Sequence, residues 1–423
     1  MARTFFTAAN LIDGENPPKP NSTVVVEDGF ITAVGAGGAV PQPAARDTVF
    51  DLGGKSLMPG MVQCHFHPAY ININSIEDIE LKYPPTYLAL AAAKNAELLL
   101  RSGFTGAIGA GSPHYIDVTL KQAVRDGLIQ GPRMIACGHD VVTTGGPVDV
   151  HPEFWKLGME GLAHVCDGPD EFRKAIRQET KAGADIIKLY VTGGHGFEMA
   201  ANEVSMTAEE IQAATQAAHE RGRMVRGHVV SRKAIMDCLE ARMDVLDHAD
   251  AMDEACMEMM LNQGTYVTPS LYFSWKTLEM MRKHGRTPAQ RLSQEEKWLE
   301  QGYRSVEAAN KAGVRLVIGD DFGTSWMPHG TYGAELEFYV KYAGTSPLDV
   351  IRWATRNGAG LLGEGDKLGT IAAGKIADLL VVDGDPIRDI AILQDRARLN
   401  MVMKGGEFIE SHLTPKAAAV RAA

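Results

Sequence analysis

Apolar positions change their spacing twice along the chain, and these changes divide it into three segments. In the first 55 residues, short β-rich runs alternate with Asp-Gly, Gly-Gly and Pro clusters, which is typical of hairpins. The same texture returns near the end of the chain. The predicted strands of these two segments are 4–11, 23–26, 30–34, 48–52, 376–382 and 399–404. We therefore predict one small β-sandwich domain built from both chain ends, residues 1–55 and 365–423.

The middle segment, residues 56–364, alternates short apolar runs with amphipathic stretches rich in Ala, Glu, Lys and Leu. The apolar runs predict strands at Leu57–His65, Phe104–Ala110, Arg133–Gly138, Asp185–Tyr190, Met224–Val229, Val245–His248, Tyr266–Leu271 and Arg315–Asp320. The helical stretches between them include 87–102, 169–182, 207–221, 232–241 and 253–263.

Eight strands in βα alternation predict an α/β fold, a (β/α)8 TIM barrel. A doubly wound open sheet is the alternative, but no Gly-X-Gly-X-X-Gly motif follows the first strand. The helical stretch Ser274–Ala312 between the seventh and eighth strands is predicted to be a lid or wall over the barrel mouth, or else a set of additional packing helices.

Charge and cysteine content limit the partners and the cellular compartment that we expect for the protein. The 423 residues include 53 acidic and 42 basic residues, a net charge of −11 with the basic residues dispersed, so nucleic acid and anionic membranes are not expected partners. No run of apolar residues is long enough for a membrane span. The five cysteines are an odd number, and no secretory leader is recognisable at the start. We expect a cytoplasmic protein that acts on a small molecule.

Four histidines, a lysine and a pair of aspartates stand at the predicted strand ends, where barrel enzymes carry their reacting groups. These residues are His65 and His67 on the first strand, Lys188 on the fourth, His228 on the fifth, His248 on the sixth, and Asp320 and Asp321 on the eighth. His65 and His67 point to the same side of an extended strand, so they can bind one ion. Imidazole and carboxylate groups suit zinc-like ions. The Lys188 ammonium would repel cations, and it could join such a site only after carboxylation by CO₂.

Each of these residues also has an ordinary structural explanation. A His-X-His pair can be two polar residues at a strand end, and His228 alone can be a hydrogen-bonded structural histidine. Lys188 alone can be a surface lysine whose stem packs along apolar atoms. The joint occurrence of these residues, in strand order and at strand ends, is what favours a metal site.

Together with their flanking segments, these residues resemble the metal-dependent amidohydrolase superfamily. Within it they are similar to the branch of Xaa-Pro dipeptidase-like, ochratoxinase-like and phenylurea hydrolase-like enzymes. The resemblance covers nearly the whole chain. Its motifs are residues 59–67, 188–194, 227–228, 246–248, 267–271, 319–321, 328–330 and 357–378.

The resemblance implies two divalent ions, which we expect to be zinc. It places His65, His67 and Asp321 on one ion and His228 and His248 on the other, with carboxylated Lys188 as the bridge. The family's Gly-Thr-Asp aligns with 319–321, so Asp321 is the expected ligand, and a slip in register would exchange it with Asp320. Three positions depart from the family pattern, namely Gln63, Pro147 and Val230. The last two argue against a substrate that ends in a free amino-acid carboxylate.

The implied reaction is hydrolysis of a C–N bond by a metal-bridging hydroxide, with Asp321 as general base and then acid. Tyr190 and His139 are candidate donors to the substrate carbonyl oxygen, or polar residues that merely line the rim. Residues expected in the rim loops are mostly aromatic, namely Tyr70, Phe197, Met199, Tyr272, Phe273, Trp275, Phe322, Trp326 and Met327.

This rim favours an amide, urea or carbamate that carries an apolar or aryl group. The alternatives are a dipeptidase that cleaves Xaa-Pro or N-acyl amino acids, a one-metal deaminase, and a non-catalytic metal-barrel binding protein. Because relatives are often multimeric, we expect a homo-oligomer.

Overall fold

The structure is a computed structural model, and it describes residues 2–150, 161–195, 197, 199–285 and 287–416. Its strands are β1 (Thr4–Leu11), β2 (Lys19–Glu27), β3 (Phe30–Gly35), β4 (Thr48–Asp51), β5 (Ser56–Pro59), β6 (Met61–Phe66), β7 (Phe104–Gly109), β8 (Arg133–Ile135), β9 (Asp140–Val142), β10 (Ala163–Val165), β11 (Ile186–Tyr190), β12 (Met224–Val229), β13 (Val245–His248), β14 (Tyr266–Thr268), β15 (Arg315–Leu316), β16 (Leu379–Val382), β17 (Leu399–Lys404) and β18 (Glu407–Ser411).

The α-helices are α1 (Glu77–Leu81), α2 (Pro85–Arg101), α3 (Ile116–Arg125), α4 (Gly168–Ala182), α5 (Ala208–His219), α6 (Arg232–Glu240), α7 (Glu254–Gln263), α8 (Leu271–His284), α9 (Ala289–Ala312), α10 (Gly333–Tyr342), α11 (Pro347–Arg352) and α12 (Gly358–Leu361). None of the helices in the described part of the chain has the length and apolar character that a membrane crossing requires. All five cysteines are free and buried.

Parallel strands close into a barrel. Strands β11 to β15 pair in chain order, and β6, β7 and β8 pair in the same way. Backbone hydrogen bonds join the two sets: Cys64 N donates to Ile318 O, and Asp185 N donates to Ala136 O, both at 2.8 Å. The helices lie between successive strands in the sequence, which confirms the predicted α/β fold of TIM-barrel type.

A second sheet combines strands from both chain ends. Its order is β18-β17-β16-β5-β1-β2-β3, with β4 paired to β1, and its core includes Phe6, Val24, Leu57, Leu379 and Met401. The pairing of β5 with β16 connects the two ends of the chain directly. A sandwich arrangement of this sheet stays a prediction, as do the domain boundaries at 55/56 and 364/365. Residues 417–423 of the predicted last segment lie outside the described residues.

The segment 57–65, predicted as one barrel strand, is part of two different strands. β5 runs in the terminal sheet and β6 in the barrel, with Gly60 between them. A Cβ atom at Gly60 would collide with the side chain of Thr105 on β7. The chain therefore passes from one sheet to the other at a position where only glycine fits against the neighbouring strand.

Three other barrel strands, β8, β14 and β15, are three or four residues shorter than predicted. After β8, the N–H groups of Cys137 and Gly138 donate to the Asp117 carboxylate. After β14, Ser270 adopts a left-handed conformation with φ 49, and α8 begins at the next residue. The predicted eighth strand 315–320 is regular only over β15, although Val317 N still donates to Val267 O.

The predicted helical insertion 274–312 consists of α8 and α9, with α8 beginning three residues earlier, at Leu271. Glu295 on α9 is buried and contacts His195 in the loop after β11. This pair of helices therefore reaches the C-terminal end of the barrel, where the candidate metal-binding side chains lie.

We predict that Gly60→Ala lowers the free energy of unfolding by about 1–3 kcal/mol, because the new methyl group overpacks against Thr105. Urea unfolding followed by circular dichroism measures this. Thr105→Ala, introduced into the Gly60→Ala chain, removes the obstructing atoms and should restore part of the loss. An unchanged stability of Gly60→Ala would contradict the steric explanation of the strand break.

Candidate metal centre

Two histidines and one carboxylate converge at the C-terminal end of β6. His65 and His67 are almost fully buried, and each places Nε2 at 3.2 Å from the same oxygen, Asp321 Oδ1. The three ligand atoms lie within 4.8 Å of one another. Nδ1–H of His67 donates to Gly111 O at 2.9 Å, which leaves its Nε2 lone pair free to face the carboxylate. The chemistry and spacing of these atoms fit a divalent metal ion.

A second pair of histidines lies beside the first group. His228 is on β12 and His248 ends β13 with φ 70, a left-handed conformation that is costly for a non-glycine residue. His228 donates from Nε2 to Gly193 O at 3.1 Å, and its Nδ1 faces His248 Nε2 at 3.0 Å. The His65 and His248 rings are 6.3 Å apart, so the two groups can serve adjacent ions.

Burial keeps the imidazoles of His67, His228 and His248 neutral. Desolvation lowers the pKa of His67 and of His248 to about 4, and it lowers the pKa of His228 well below the ordinary value. Neutral imidazole is the form that binds metal ions, since a protonated ring has no free lone pair. The electrostatics of the site therefore suit ligation near neutral pH.

Lys188 enters the barrel interior and forms a buried ion cluster. Its Nζ donates to Asp247 Oδ2 at 2.6 Å, and Arg226 donates to the same carboxylate from Nε at 3.0 Å and Nη2 at 2.5 Å. His65 Nδ1 lies 3.3 Å from Asp247 Oδ1. Burial alone would raise the pKa of Asp247, but Arg226 and Lys188 hold it well below its ordinary value. The cluster thus places the Lys188 amine beside the first histidine group.

The two adjacent aspartates after β15 have different surroundings. Asp321 faces His65 and His67, and these histidines hold its pKa well below the ordinary value although burial acts to raise it. Asp320 is fully buried and accepts hydrogen bonds from the backbone N–H groups of Asp321 and Phe273, at 2.8 and 3.1 Å. The structure therefore places Asp321 rather than Asp320 at the histidines.

The two candidate carbonyl donors occupy different places. The Tyr190 ring stacks on His228 with centroids 4.8 Å apart, and it lines a small inner cavity at the barrel centre. His139 instead turns to Glu179 on α4, which accepts from its Nδ1 at 3.1 Å and from its backbone N at 3.0 Å. The described residues that line this inner cavity include Tyr190 and do not include His139. The side chain that points into the barrel is that of the next residue, Asp140, because side chains alternate along a strand.

Several polar residues of this region were not identified from the sequence. Asp140 is fully buried with neither carboxylate oxygen hydrogen-bonded among the described residues, and burial raises its pKa well above the ordinary value. Arg226 could have been found from its spacing, two residues before His228 on the same strand face. Gln63, by contrast, was noted from the sequence as a departure from the family's Asp; it is buried, and its amide atoms lack partners in the described part of the chain.

His195 was also missed, because its partners are distant in the sequence. Its ring lies between two carboxylates, with Nε2 at 2.7 Å from Asp250 Oδ2 and Nδ1 at 2.8 Å from Glu295 Oε2. Burial would lower the pKa of His195, but these two hydrogen bonds raise it to about 10. This charged histidine connects the loop after β11 to the barrel on one side and to α9 on the other.

Two adjoining cavities meet at the centre. The inner one, about 50 Å³ in volume, is lined by His65, Tyr70, Ile76, Tyr190, His195, Phe197, His228, His248, Phe273, Asp321 and Thr324. The outer one, about 540 Å³, shares five of these residues and adds Pro147, Met199 and Trp326. Of the remaining residues expected at the rim, Tyr272 and Trp275 pack against Phe338 instead. Phe322 and Met327 are buried in the core.

Comparison with known proteins places the chain in a class. A barrel with histidines and a carboxylate at its strand ends is the architecture of metal-dependent hydrolases. The chain matches the amidohydrolase family over residues 56–409. It is 28% identical over 432 residues to ochratoxinase of Aspergillus niger, covering 96% of this chain and 86% of that enzyme.

Solved structures agree with this assignment. A Xaa-Pro dipeptidase with bound methionine superimposes with a TM-score of 0.86 at 28% identity, covering 97% of this chain and 100% of that one. Phenylurea hydrolase B shares the fold, with a TM-score of 0.74 at 19% identity, covering 99% of this chain and 100% of that one.

The chain belongs to the amidohydrolase family, and it is a hydrolase that acts on carbon–nitrogen bonds. The resemblance inferred from its motifs is therefore confirmed. Metal ions are general in this family, and the His65, His67 and Asp321 group is a possible site for one.

We predict that Arg226→Met lowers the free energy of unfolding by about 3–5 kcal/mol, because Asp247 stays buried without its bidentate partner. Denaturant unfolding of the metal-free chain measures this. Arg223→Met is the matched control. Arg223 is partly exposed and forms a long ion pair with Asp185, at 3.8 Å, so its loss should cost less than about 1 kcal/mol. Equal losses in the two variants would contradict the role of the cluster.

Proposed function

We propose that the chain binds two divalent ions, zinc being expected, and hydrolyses an amide, urea or carbamate C–N bond in an apolar or aryl-bearing small molecule. His65, His67 and Asp321 would hold one ion and His228 and His248 the other. Lys188, carboxylated by CO₂, would bridge them. The observation that carries this proposal is the convergence of the His65, His67 and Asp321 ligand atoms next to the His228–His248 pair.

The proposed roles of the protein groups follow from their positions. Two bound divalent ions would supply an activated water at neutral pH and would polarise the scissile carbonyl. Asp321 would serve as the general base toward the attacking water and then as the acid toward the departing nitrogen, which is a poor leaving group without a proton. Tyr190, which lines the inner cavity, offers its phenol to the carbonyl oxygen. The buried walls exclude bulk water from the reacting bond.

The cavity walls support an uncharged substrate. Among the described residues that line the inner and outer cavities, none is Arg or Lys. The charged His195 is in both walls, but its two ring nitrogens are already paired with Asp250 and Glu295 and are not free for a substrate carboxylate. Phe197, Phe273 and Trp326 provide apolar surface, and the outer volume of about 540 Å³ suits a small organic molecule. Pro147 in that wall supports the same choice, since many relatives have a histidine there.

A second candidate reaction is cleavage of Xaa-Pro dipeptides or N-acyl amino acids. It is favoured by the likeness to the Xaa-Pro dipeptidase structure. A one-metal deaminase is less well supported, because such enzymes commonly lack the lysine that this chain has at position 188. A non-catalytic binding protein is less well supported too, because all six expected ligand positions are retained.

Two further proposals concern the setting of the enzyme. We expect a small-molecule substrate and no nucleic-acid partner, in keeping with the net charge of −11, and a cytoplasmic location. We also expect a homo-oligomer.

We predict that the metal-replete protein hydrolyses aryl ureas and anilides faster than Xaa-Pro dipeptides and N-acyl amino acids, with close to two metal equivalents per chain. Asp321→Asn should lower kcat by about a hundredfold or more, because the proton shuttle is lost. Product chromatography and elemental analysis measure both quantities. Asp366→Asn, an exposed change of the same kind, is the control and should leave kcat unchanged.

Normal turnover by Asp321→Asn with full metal content would contradict the assigned roles. Faster cleavage of the carboxylate-bearing compounds would instead support the dipeptidase reading. A single metal equivalent would favour the deaminase-like arrangement.

A further inference from the structure

Asp140 faces the interior of the barrel at the level of Lys188. In the parallel pairing of β9 with β11, Asp140 stands directly opposite Lys188. Paired residues of neighbouring strands project to the same side of a sheet. The preceding residue, His139, turns outward to Glu179, in agreement with this alternation. The carboxyl group of Asp140 is therefore directed to the centre and not to the helices outside the barrel.

The Asp140 carboxyl group has unusual surroundings for a buried acid. The residue is 0% exposed, and neither of its oxygens has a hydrogen-bond partner among the described residues. Asp247, which is on β13 two strands beyond β11, is equally buried but accepts hydrogen bonds from Lys188 and Arg226. A buried polar group without partners is costly and seldom kept without a reason. Asp140 thus lacks a donor that Asp247 has.

The neighbours of Asp140 are the groups that orient the proposed ligands. Its carboxyl group lies against Gly111, whose φ is +124, and a side chain at Gly111 would collide with it. The carbonyl oxygen of Gly111 accepts the Nδ1–H of His67. Burial, and after it the charge of Asp140, raises the pKa of both Tyr70 and Tyr190.

The two tyrosines stack on histidines of the two different groups. Tyr70 lies on His67 with ring centroids 4.2 Å apart, and Tyr190 lies on His228 at 4.8 Å. Asp140 therefore lies close to the supports of both histidine groups. It does not belong to the set of ligand atoms that lie within 4.8 Å of one another, which consists of His65, His67 and Asp321 in the described chain.

We propose that Asp140 is a positioning residue of the metal centre, whose carboxylate accepts hydrogen bonds from the water that enters with the metal ions. Its missing donor is then supplied only in the loaded protein. An acceptor of this kind orients ligands from outside the coordination shell, and its loss typically weakens metal binding by about 10–100-fold. The inference rests on the proposed metal centre but not on the identity of the substrate.

The test compares metal affinity and metal-free stability in Asp140→Asn and Asp140→Ala. Chelator competition with zinc should show affinity reduced about tenfold or more in both variants. The thermal midpoint of metal-free Asp140→Ala should be equal to or higher than that of the unchanged chain, because a buried group without partners has been removed. That of metal-free Asp140→Asn should be about unchanged, because a polar group of the same size stays buried there. A residue with a merely structural role would lose stability in the metal-free state.

Asp117→Asn is the matched control. Asp117 is also 0% exposed, but its carboxylate accepts from the backbone N–H groups of Val118, Cys137 and Gly138. This variant should lose metal-free stability and keep its zinc affinity within about twofold, because Asp117 holds a chain segment outside the centre.

Unchanged zinc affinity in Asp140→Asn and Asp140→Ala, or metal-free variants less stable than the unchanged chain, would overturn the role given to Asp140. These results leave the proposed function intact if the unchanged chain binds two zinc ions. Failure of the unchanged chain to bind zinc, by contrast, would overturn both the proposed centre and the inference.

Discussion

The burial of one carboxylate, Asp247, is the constraint on which the site depends. An ionised acid inside a barrel is tolerated only with close cationic partners, and these are Arg226 and the unmodified Lys188. Arg226 alone would provide the positive charge once Lys188 is carboxylated. Arg226 extends the same connection to the backbone carbonyls of Cys64 and Gly109. Five barrel strands are thereby held around one point. The positions of His65 and of the Lys188 amine follow from this arrangement rather than from flexible loops.

Rigid support of this kind matters for hydrolysis at a metal centre. The ligand atoms must be held in the deprotonated state and in fixed directions, since reorganisation would add to the barrier. Burial supplies neutral histidines, and the carbonyls of Gly111 and Gly193 fix the orientation of His67 and His228. The outer cavity, with Phe197, Phe273 and Trp326 in its wall, adjoins this centre.

The sequence was sufficient for the barrel type and for the residues at its strand ends, because both depend on local periodicity. The alternation of apolar runs gave the strand order, and period-two spacing placed His65 and His67 on one side. Contacts between distant segments were not accessible in this way. Gly60 separates two sheets because of Thr105, and His195 is charged because Asp250 and Glu295 fold onto it. His139 was predicted to face the substrate, but it is its neighbour Asp140 that faces inward. In a strand as short as β9 the sequence does not show which of two adjacent residues points into the barrel.

We propose that two ions share this centre through a modified Lys188. Anomalous diffraction at the zinc edge, from crystals grown with zinc and bicarbonate, tests it most directly. The account predicts two peaks about 3.5–4 Å apart, one at His65, His67 and Asp321 and one at His228 and His248, with extra density on Lys188 between them. A single peak, with an unmodified Lys188 still bonded to Asp247, would contradict it.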